Sequence, residues 1–347
     1  MTRSELQRFG AVLAVSVIAV VLHFAGTSGQ IVFFVAAVAL AALAWALAEA
    51  TEQAGESAGP RASALLNATF GNLPEVVIVV LAIRAGLDDI ARASIIGSVI
   101  GNIMLVLGLS LVIGGWRNGV QSFTEKVAAI NSSMLALGVA GLGLPTLFAA
   151  LEHDPNATEL LSRWTGGALV VVYAAYLYYS FQQPALRDPG EPGGVRWSRA
   201  QALALLTAAA VGTGVVSEVL VDSIKPTVEA LGVPRPFVGL VIVPFVGNVA
   251  EHFSAVRLAY RNRLDFAMGI AYGSGIQIVL VASAVAVLAG VVVGNPLTLV
   301  FDPFQLAALA AAALGSTLIA RGGETNWLEG LQLLTIYLVV SVAVWLR

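Results

Sequence analysis

Two short motifs place a carboxylate next to a carboxamide inside long apolar stretches. Residues 71–75 read Gly-Asn-Leu-Pro-Glu, and residues 247–252 read Gly-Asn-Val-Ala-Glu-His. Asn72 and Glu75 are three positions apart, so they share a face if the segment is helical. An ionisable side chain at membrane depth is costly and by default marks a path for an ion, a proton or a substrate. The motifs therefore predict a transport site.

The chemistry expected of these motifs is cation binding in competition with protons. Glu75, Glu251, Asn72 and Asn248 offer hard oxygen ligands, the kind that Ca2+ takes in sets of six to eight. Two carboxylates balance the charge of one divalent metal ion, whereas Mg2+ holds its water too tightly for a largely dehydrated site. Two carboxylates that face each other at low dielectric cannot both ionise comfortably without a cation. Loss of the metal should therefore drive proton uptake.

Three residues in the motifs should break the helical backbone at membrane depth. Gly71 and Gly247 loosen their helices, and Pro74 removes a backbone donor. Irregular backbone at membrane depth is tolerated only where it is buried in protein or lines a wet cavity. We therefore expect free backbone carbonyls to add to the ligands.

The two motifs belong to an internal repeat with one constant offset in sequence number. The step from Gly71 to Gly247 is the same as the step from Glu75 to Glu251, and it also carries Gly97-Ser98 onto Gly273-Ser274. The copies lie five predicted spans apart. Because five is odd, equivalent helices cross in opposite directions, which is the pattern of inverted-topology repeats.

Five further polar residues lie close to the motifs or on the helices that follow them. Ser98, Asn102, Ser274 and Gln277 could serve as interhelical hydrogen bonds or contribute to the cation site. Ser98 and Ser274 stand at matched positions of the repeat. His252 could relay protons or simply pack, because on a helix it points about 100° away from its neighbour Glu251.

Two more carboxylates follow hydroxyl residues near the ends of equivalent spans. Glu52 follows Thr51 after span two, and Glu218 follows Ser217 late in span seven. Each could attract cations to its own side of the membrane, or could be an ordinary interfacial charge.

Composition places the whole chain in a membrane. Of its 347 residues 58% are hydrophobic and 11% are charged, where soluble domains carry about 25% charged residues. There are no cysteines, which excludes disulfides, thiol catalysis and Cys-ligated metals, and no basic face suggests nucleic acid. A span needs roughly 20 apolar residues. This predicts an all-α protein with eleven spans near 9–26, 30–49, 62–83, 93–114, 125–148, 163–182, 199–220, 236–257, 265–290, 297–320 and 326–346.

The predicted organisation is one extra helix followed by two five-helix repeats. The extra N-terminal helix occupies residues 1–28 and is expected to be retained rather than cleaved. The first repeat covers 29–183, a Pro- and Gly-rich central loop covers 184–198, and the second repeat covers 199–347. Twelve of the eighteen Lys and Arg residues fall on the side of the N-terminus. The positive-inside rule then predicts a cytoplasmic N-terminus and an extracytoplasmic C-terminus.

Residues 66–75 and 246–255 closely resemble the two signature repeats of the calcium/proton antiporters, the cation/proton exchanger branch of the calcium/cation antiporter superfamily. The resemblance implies an eleven-helix fold, alternating access, and Ca2+ efflux driven by inward proton flow. By motif match it implies that the essential carboxylates are Glu75 and Glu251, that the neighbouring polar ligands are Asn72 and Asn248, and that the supporting positions are Ser98, Ser274 and Gln277. The first motif departs from the family, since it has Leu-Pro where many members have Ala-Val.

Three alternative functions fit the sequence less well. The nearest rival is a sodium/calcium exchanger of the same fold, which the Leu-Pro pair resembles. An intramembrane metalloenzyme is disfavoured because the three histidines form no metal-ligand pattern, and a passive channel would conduct Ca2+ without moving protons. The expected partners are Ca2+, H+ and the lipid bilayer, with no cofactor and no nucleic acid, and a homo-oligomer is left open. The abundance of Ala, Gly, Val and Leu hints at a prokaryotic plasma membrane.

Overall fold

The protein is built almost entirely of helices. A computed structural model describes residues 1–182 and 196–347. The helices of this part of the chain are α1 (Arg3–Phe24), α2 (Gly29–Ala58), α3 (Pro60–Phe70), α4 (Leu73–Arg84), α5 (Asp88–Asn118), α6 (Glu125–Glu152), α7 (Pro155–Gln182), α8 (Arg199–Leu231), α9 (Arg235–Gly247), α10 (Val249–Tyr260), α11 (Leu264–Val292), α12 (Pro303–Ile319) and α13 (Trp327–Trp345).

Most of these helices can cross a membrane, so the predicted all-helical membrane class is confirmed. Within the described residues eight helices are long and apolar enough, and α9 with α10 forms a ninth span that is bent by 64°. The predicted span 62–83 is split into α3 and α4, and α12 has only 17 residues. The count of eleven therefore stays a prediction.

Helices α5 and α11 form the centre of the molecule. In α5, 83% of the most apolar stretch is buried, and in α11 61% is, against 17% in α1. Helices α2 and α8 pack along each other over a long interface. The two motif spans lie between these pairs, because α4 packs on both α5 and α8 while α10 packs on both α5 and α2. Helix α1 lies at the edge.

The internal repeat is visible in the backbone. Helix α5 contains a π-helical segment at Gly101–Val106, and α11 contains one at Ile278–Ala282, the equivalent place in the second repeat. Each motif helix is also held at its far end by an asparagine side chain. Asn118 donates to the carbonyl of Ala259 at 3.2 Å, and Asn295 donates to the carbonyl of Ile83 at 2.9 Å. These two carbonyls are again equivalent under the repeat.

Contacts between connecting segments place them on two faces of the helix bundle. Strands β1 (Gln121–Ser122) and β2 (Glu324–Thr325) pair antiparallel and join the segment after α5 to the one before α13. On the other face, Arg347 forms a bidentate ion pair with Asp302 at 2.7 and 2.8 Å. Most of the predicted central loop, 184–198, lies outside the described residues.

The start of α8 is tied to the first two helices. Arg196 donates to Glu5 at 3.0 Å and also pairs with Glu49, and its backbone N–H donates to Gln53 at 2.9 Å. Several helix boundaries differ from the predicted spans, and two of them bear on named residues. Helix α1 begins at Arg3 because Thr2 and Glu5 form a capping box, and α2 continues to Ala58, so Glu52 lies within that helix rather than past it.

Candidate functional site

The first motif is a break between two helices. Helix α3 ends at Phe70, and α4 begins at Leu73 with Pro74 in its first turn. Asn72 has φ −108° and ψ 25° at the junction. Proline fixes its own φ and lacks an N–H, so it suits the first turn of a helix. Pro74 therefore starts α4 rather than interrupting a continuous helix, and Asn72 stands before the helix instead of on its face.

The second motif repeats this geometry. Asn248 has φ −98° and ψ 9° between α9 and α10, where the chain bends by 64°. The side-chain amide of Asn248 donates to the Pro244 carbonyl at 3.1 Å. Glu75 and Glu251 thus occupy the first turns of α4 and α10, where the helix dipole favours a carboxylate. A helix end leaves up to four carbonyls without a helical donor, and at the end of α9 the Pro244 carbonyl accepts from both the backbone and the side chain of Asn248.

The Glu75 carboxylate lies against the second motif, because a Cβ added at Gly247 would collide with it. Glu75 is 3% exposed, and neither of its carboxylate oxygens has a hydrogen-bond partner among the described residues. Glu251 is half-buried, and one of its oxygens also lacks a partner there. A buried carboxylate is costly unless it is protonated, paired or bound to a metal. This pair can therefore hold protons or a cation.

A chain of hydrogen bonds links the first motif to α11. The Ser274 hydroxyl donates to Asn72 Oδ1 at 2.7 Å, and Asn72 Nδ2 donates to Gln277 Oε1 at 2.6 Å. Asn102 donates to the Ser274 hydroxyl at 2.9 Å and to the Ser98 carbonyl at 3.0 Å. The polar residues of both repeats therefore meet in one buried network.

The equivalent bond in the other half is absent. Within the described residues, Asn248 Oδ1 and the Ser98 hydroxyl are buried without a partner, although these two residues correspond to Asn72 and Ser274. The position equivalent to Gln277 is Gly101, which has no amide to contribute. Each half of the site thus supplies one carboxylate, but the hydrogen bond between the motif asparagine and the serine of the other repeat forms only at Asn72.

Helix packing shows the same asymmetry. Gly97 of α5 contacts the backbone carbonyl of Leu240 in α9, and a Cβ at Gly239 would lie 2.8 Å from that of Ala93. In the equivalent place on α11, a Cβ at Gly273 or Gly269 would meet no heavy atom of the described residues within 4 Å. Helix α9 is therefore closed against α5, whereas the contacts of α3 among the described residues are mainly with α2.

Matched positions on α9 and α3 report the same difference. Val243 on α9 is 1% exposed, whereas Asn67, its equivalent on α3, is exposed. A Cβ at Gly247 would collide with the Glu75 carboxylate of the other motif, whereas the three atoms nearest to a Cβ at Gly71 all belong to Asn67 of its own segment. The carboxylate pair is therefore shielded on the α9 side and approachable along α3.

His252 and the two outlying carboxylates do not join the network. His252 is 8% exposed, packs in a tilted arrangement against Phe245 with ring centroids 5.6 Å apart, and has no hydrogen-bond partner among the described residues. Glu218 is exposed and forms an ion pair with Arg84, and Glu52 is exposed on α2. Sequence reasoning missed Arg84 as the partner of Glu218, because no spacing rule connects residues on different helices.

The site offers a cation only a few charged side chains. Among the residues that the structure describes, no group of three or more His, Cys, Asp or Glu side chains could hold a metal. A cation here would take two carboxylates and complete its shell with amide oxygens, backbone carbonyls and water.

Comparison with known proteins was made by sequence and by structure. The profile of the family described as "Sodium/calcium exchanger protein" matches residues 28–182 and 201–346. A Ca(2+)/H(+) antiporter of Aphanothece halophytica is 35% identical over 335 residues, covering 90% of this chain and 89% of that protein. The Ca(2+)/H(+) antiporter ChaA of Bacillus subtilis is 34% identical over 340 residues, covering 95% of each.

Solved structures resemble the chain over nearly its whole length. Native YfkE superposes with a TM-score of 0.86 at 31% identity, covering 98% of this chain and 100% of that one. The H+/Ca2+ exchanger CAX gives a TM-score of 0.73 at 18% identity, covering 99% and 93%, which is a likeness of fold.

Proposed function

The chain belongs to the sodium/calcium exchanger protein family, and from that premise we propose that it is a secondary transporter exporting Ca2+ in exchange for H+. The observation that carries the proposal is the pair of carboxylates of buried Glu75 and half-buried Glu251, which stand in the first turns after two helix breaks and have oxygens without a partner among the described residues. The names of the relatives support the choice of ions.

Exchange follows from competition at this pair. With Ca2+ bound, both carboxylates are ionised and share the cation with Asn72, Asn248 and backbone carbonyls. When the cation leaves, two facing carboxylates at low dielectric take up protons. The protonated pair is then nearly neutral and can change the side to which it opens. Ser274, Gln277, Asn102 and Ser98 hold Asn72 in place through the network on α5 and α11.

Alternating access follows from the asymmetric packing. In this conformation α9 covers the site, while Asn67 on α3 is exposed, and we infer that the site is open along α3. In the opposite conformation α3 would close on Gly269 and Gly273 of α11, and α9 would leave Gly97 of α5. With the N-terminus in the cytoplasm, as the Lys and Arg distribution favours, the open side here is cytoplasmic.

We also propose the organisation and location expected from sequence. The units are the edge helix 1–28, the repeats 29–183 and 199–347, and the loop 184–198 between them. The protein would lie in a plasma membrane with its C-terminus outside the cytoplasm. Because the chain has no cysteine, single cysteines at either end can be tested for labelling by a membrane-impermeant maleimide.

A flux assay tests the function. Proteoliposomes with a pH gradient and no Na+ should take up Ca2+ with countermovement of protons, and Glu75→Gln or Glu251→Gln should abolish this uptake while the protein stays folded. Glu159→Gln, which changes a partly exposed glutamate paired with Arg163, is the matched control. Wild-type transport by either site variant would contradict the proposal. Uptake that requires Na+ would instead identify a sodium/calcium exchanger.

A further inference from the structure

Helix α8 carries five Ser and Thr residues, and two of them behave differently from the rest. The hydroxyls of Thr207, Ser223 and Thr227 donate to backbone carbonyls three or four residues earlier, at 2.8, 2.7 and 2.6 Å. Thr213 and Ser217 are 0% exposed, yet neither hydroxyl has a partner among the described residues. A buried hydroxyl without a hydrogen bond is unfavourable, and in native proteins such groups are commonly satisfied by ordered water.

Both hydroxyls lie on the face of α8 that carries Val221. Thr213, Ser217 and Val221 are spaced four residues apart and form one stripe. Gly212 faces away from this stripe, because a Cβ there would lie 3.0 Å from Leu43 of α2. Val221 lines a cavity of 130 Å³ together with Leu81, Arg84, Ala85, Glu218 and Asp222. The stripe therefore runs inward from this cavity along the side of α8 that faces α4.

The ion pair between Arg84 and Glu218 fixes how α4 and α8 are aligned. A helix rises by about 1.5 Å for each residue. Glu75 therefore lies ~13.5 Å inward from Arg84 on α4, and Thr213 lies ~7.5 Å inward from Glu218 on α8. The line of hydroxyls ends ~6 Å short of the level of Glu75.

We propose that Thr213 and Ser217 hold ordered water and form a proton path from the Arg84–Glu218 cavity toward the carboxylate pair, separate from the cation route beside α9. The proposal rests on the proposed function and names the residues that would serve its proton branch. A proton arriving along α8 does not have to pass the departing cation.

The chemistry of this line suits protons and not calcium. Two neutral hydroxyls and water can pass a proton along hydrogen bonds, but they offer no charge to replace the hydration shell of a divalent cation. The titratable and charged groups at its outer end are Arg84, Glu218 and Asp222, with His23 of α1 lying 3.9 Å from Asp222. The remaining gap before Glu75 keeps the line broken in this conformation, which prevents proton leak while the site is open along α3.

The equivalent helix α2 does not carry such a line. Thr51 stands before Glu52 as Ser217 stands before Glu218, but its hydroxyl donates to the Leu47 carbonyl at 2.7 Å. Leu47 itself occupies the place of Thr213 in this alignment. The path is therefore specific to one face of the membrane.

The test separates proton-coupled from proton-independent turnover of the full-length protein. In proteoliposomes, Thr213→Val/Ser217→Ala should slow Ca2+/H+ exchange about tenfold, a barrier increase of ~1.4 kcal/mol. Exchange of labelled for unlabelled Ca2+, which needs no proton, should stay unchanged. A higher proton concentration on the cavity side should restore part of the rate. Thr207→Val, which removes a hydroxyl with a backbone partner on the same helix, should leave both rates unchanged.

Two outcomes overturn the path. The first is full Ca2+/H+ exchange by the double variant, and the second is an equal loss of both exchange modes. If the double variant is not recovered, two single variants replace it. Ser217→Ala should lower proton-coupled exchange selectively, and Thr213→Ser should retain it. A wild type that exchanges labelled Ca2+ but not protons refutes the proposed function and the path with it.

Discussion

Gly97→Ala should shift the protein toward the conformation in which α9 swings away. The added Cβ would collide with the backbone carbonyl of Leu240, and a backbone atom cannot move aside as a flexible side chain can. Overpacking of this kind costs about 1–3 kcal/mol. Only the conformation closed by α9 contains this contact, so the ratio of the two conformations should change by about 5- to 150-fold.

Cysteine labelling measures this shift directly because the chain has no cysteine of its own. Val243→Cys reports the opening of α9, since Val243 is 1% exposed. Asn67→Cys reports the opening of α3, since Asn67, the equivalent of Val243, is exposed. In the Gly97→Ala background, an impermeant maleimide should label Val243→Cys faster and Asn67→Cys more slowly than in the unsubstituted background.

The inverted repeat provides a control. Gly273 is the equivalent of Gly97, and a Cβ there would meet no described heavy atom within 4 Å. Gly273→Ala should therefore leave Val243→Cys protected. Faster labelling of Val243→Cys by both alanine variants, or by neither, would refute the reasoning that these glycines mark the closed and the open side.

Two further predictions concern polar groups. Ser274→Ala removes a hydrogen-bond partner from both Asn72 and Asn102. Because each unsatisfied buried group costs about 1–3 kcal/mol, Ca2+ affinity in a binding titration should fall by at least about fivefold. Ser98→Ala is the control and should change the affinity far less, since the Ser98 hydroxyl has no partner among the described residues. An equal effect of the two would show that the network does not hold the site. Glu218→Gln breaks an exposed ion pair worth about 0–1 kcal/mol. The apparent affinity for Ca2+ in a flux assay should therefore shift by no more than about fivefold. Complete loss of transport would mean that Glu218 is part of the site.

The sequence was most informative where chemistry and symmetry agreed. Glu75 and Glu251 could be chosen because a carboxylate in an apolar helix is rare and because a constant offset paired them. The same offset then located the broken helices and the helices that follow them, since Ser98 and Ser274 stand at matched positions.

The sequence could not predict which half is open. Gly97 and Gly273 are equivalent in sequence, yet a Cβ at the first would collide with a backbone carbonyl and a Cβ at the second would meet no heavy atom of the described residues within 4 Å. A repeat encodes both conformations equally, so the choice between them is a property of the packed state. Contacts between distant helices were hidden for a similar reason: the pairing of Arg84 with Glu218 depends on how α4 and α8 align.

The asparagine contacts at the far ends of the motif helices determine which parts can swing. Because Asn295 holds the end of α4 and Asn118 holds the end of α10, these two half-helices belong to the fixed frame together with α5 and α11. We therefore expect the moving parts to be the short helices α3 and α9, with their hinges at the two motifs. Transport by this protein would then need no rigid-body rotation of whole domains. An antibody fragment that binds the fixed helices from outside the membrane should therefore leave the turnover rate unchanged.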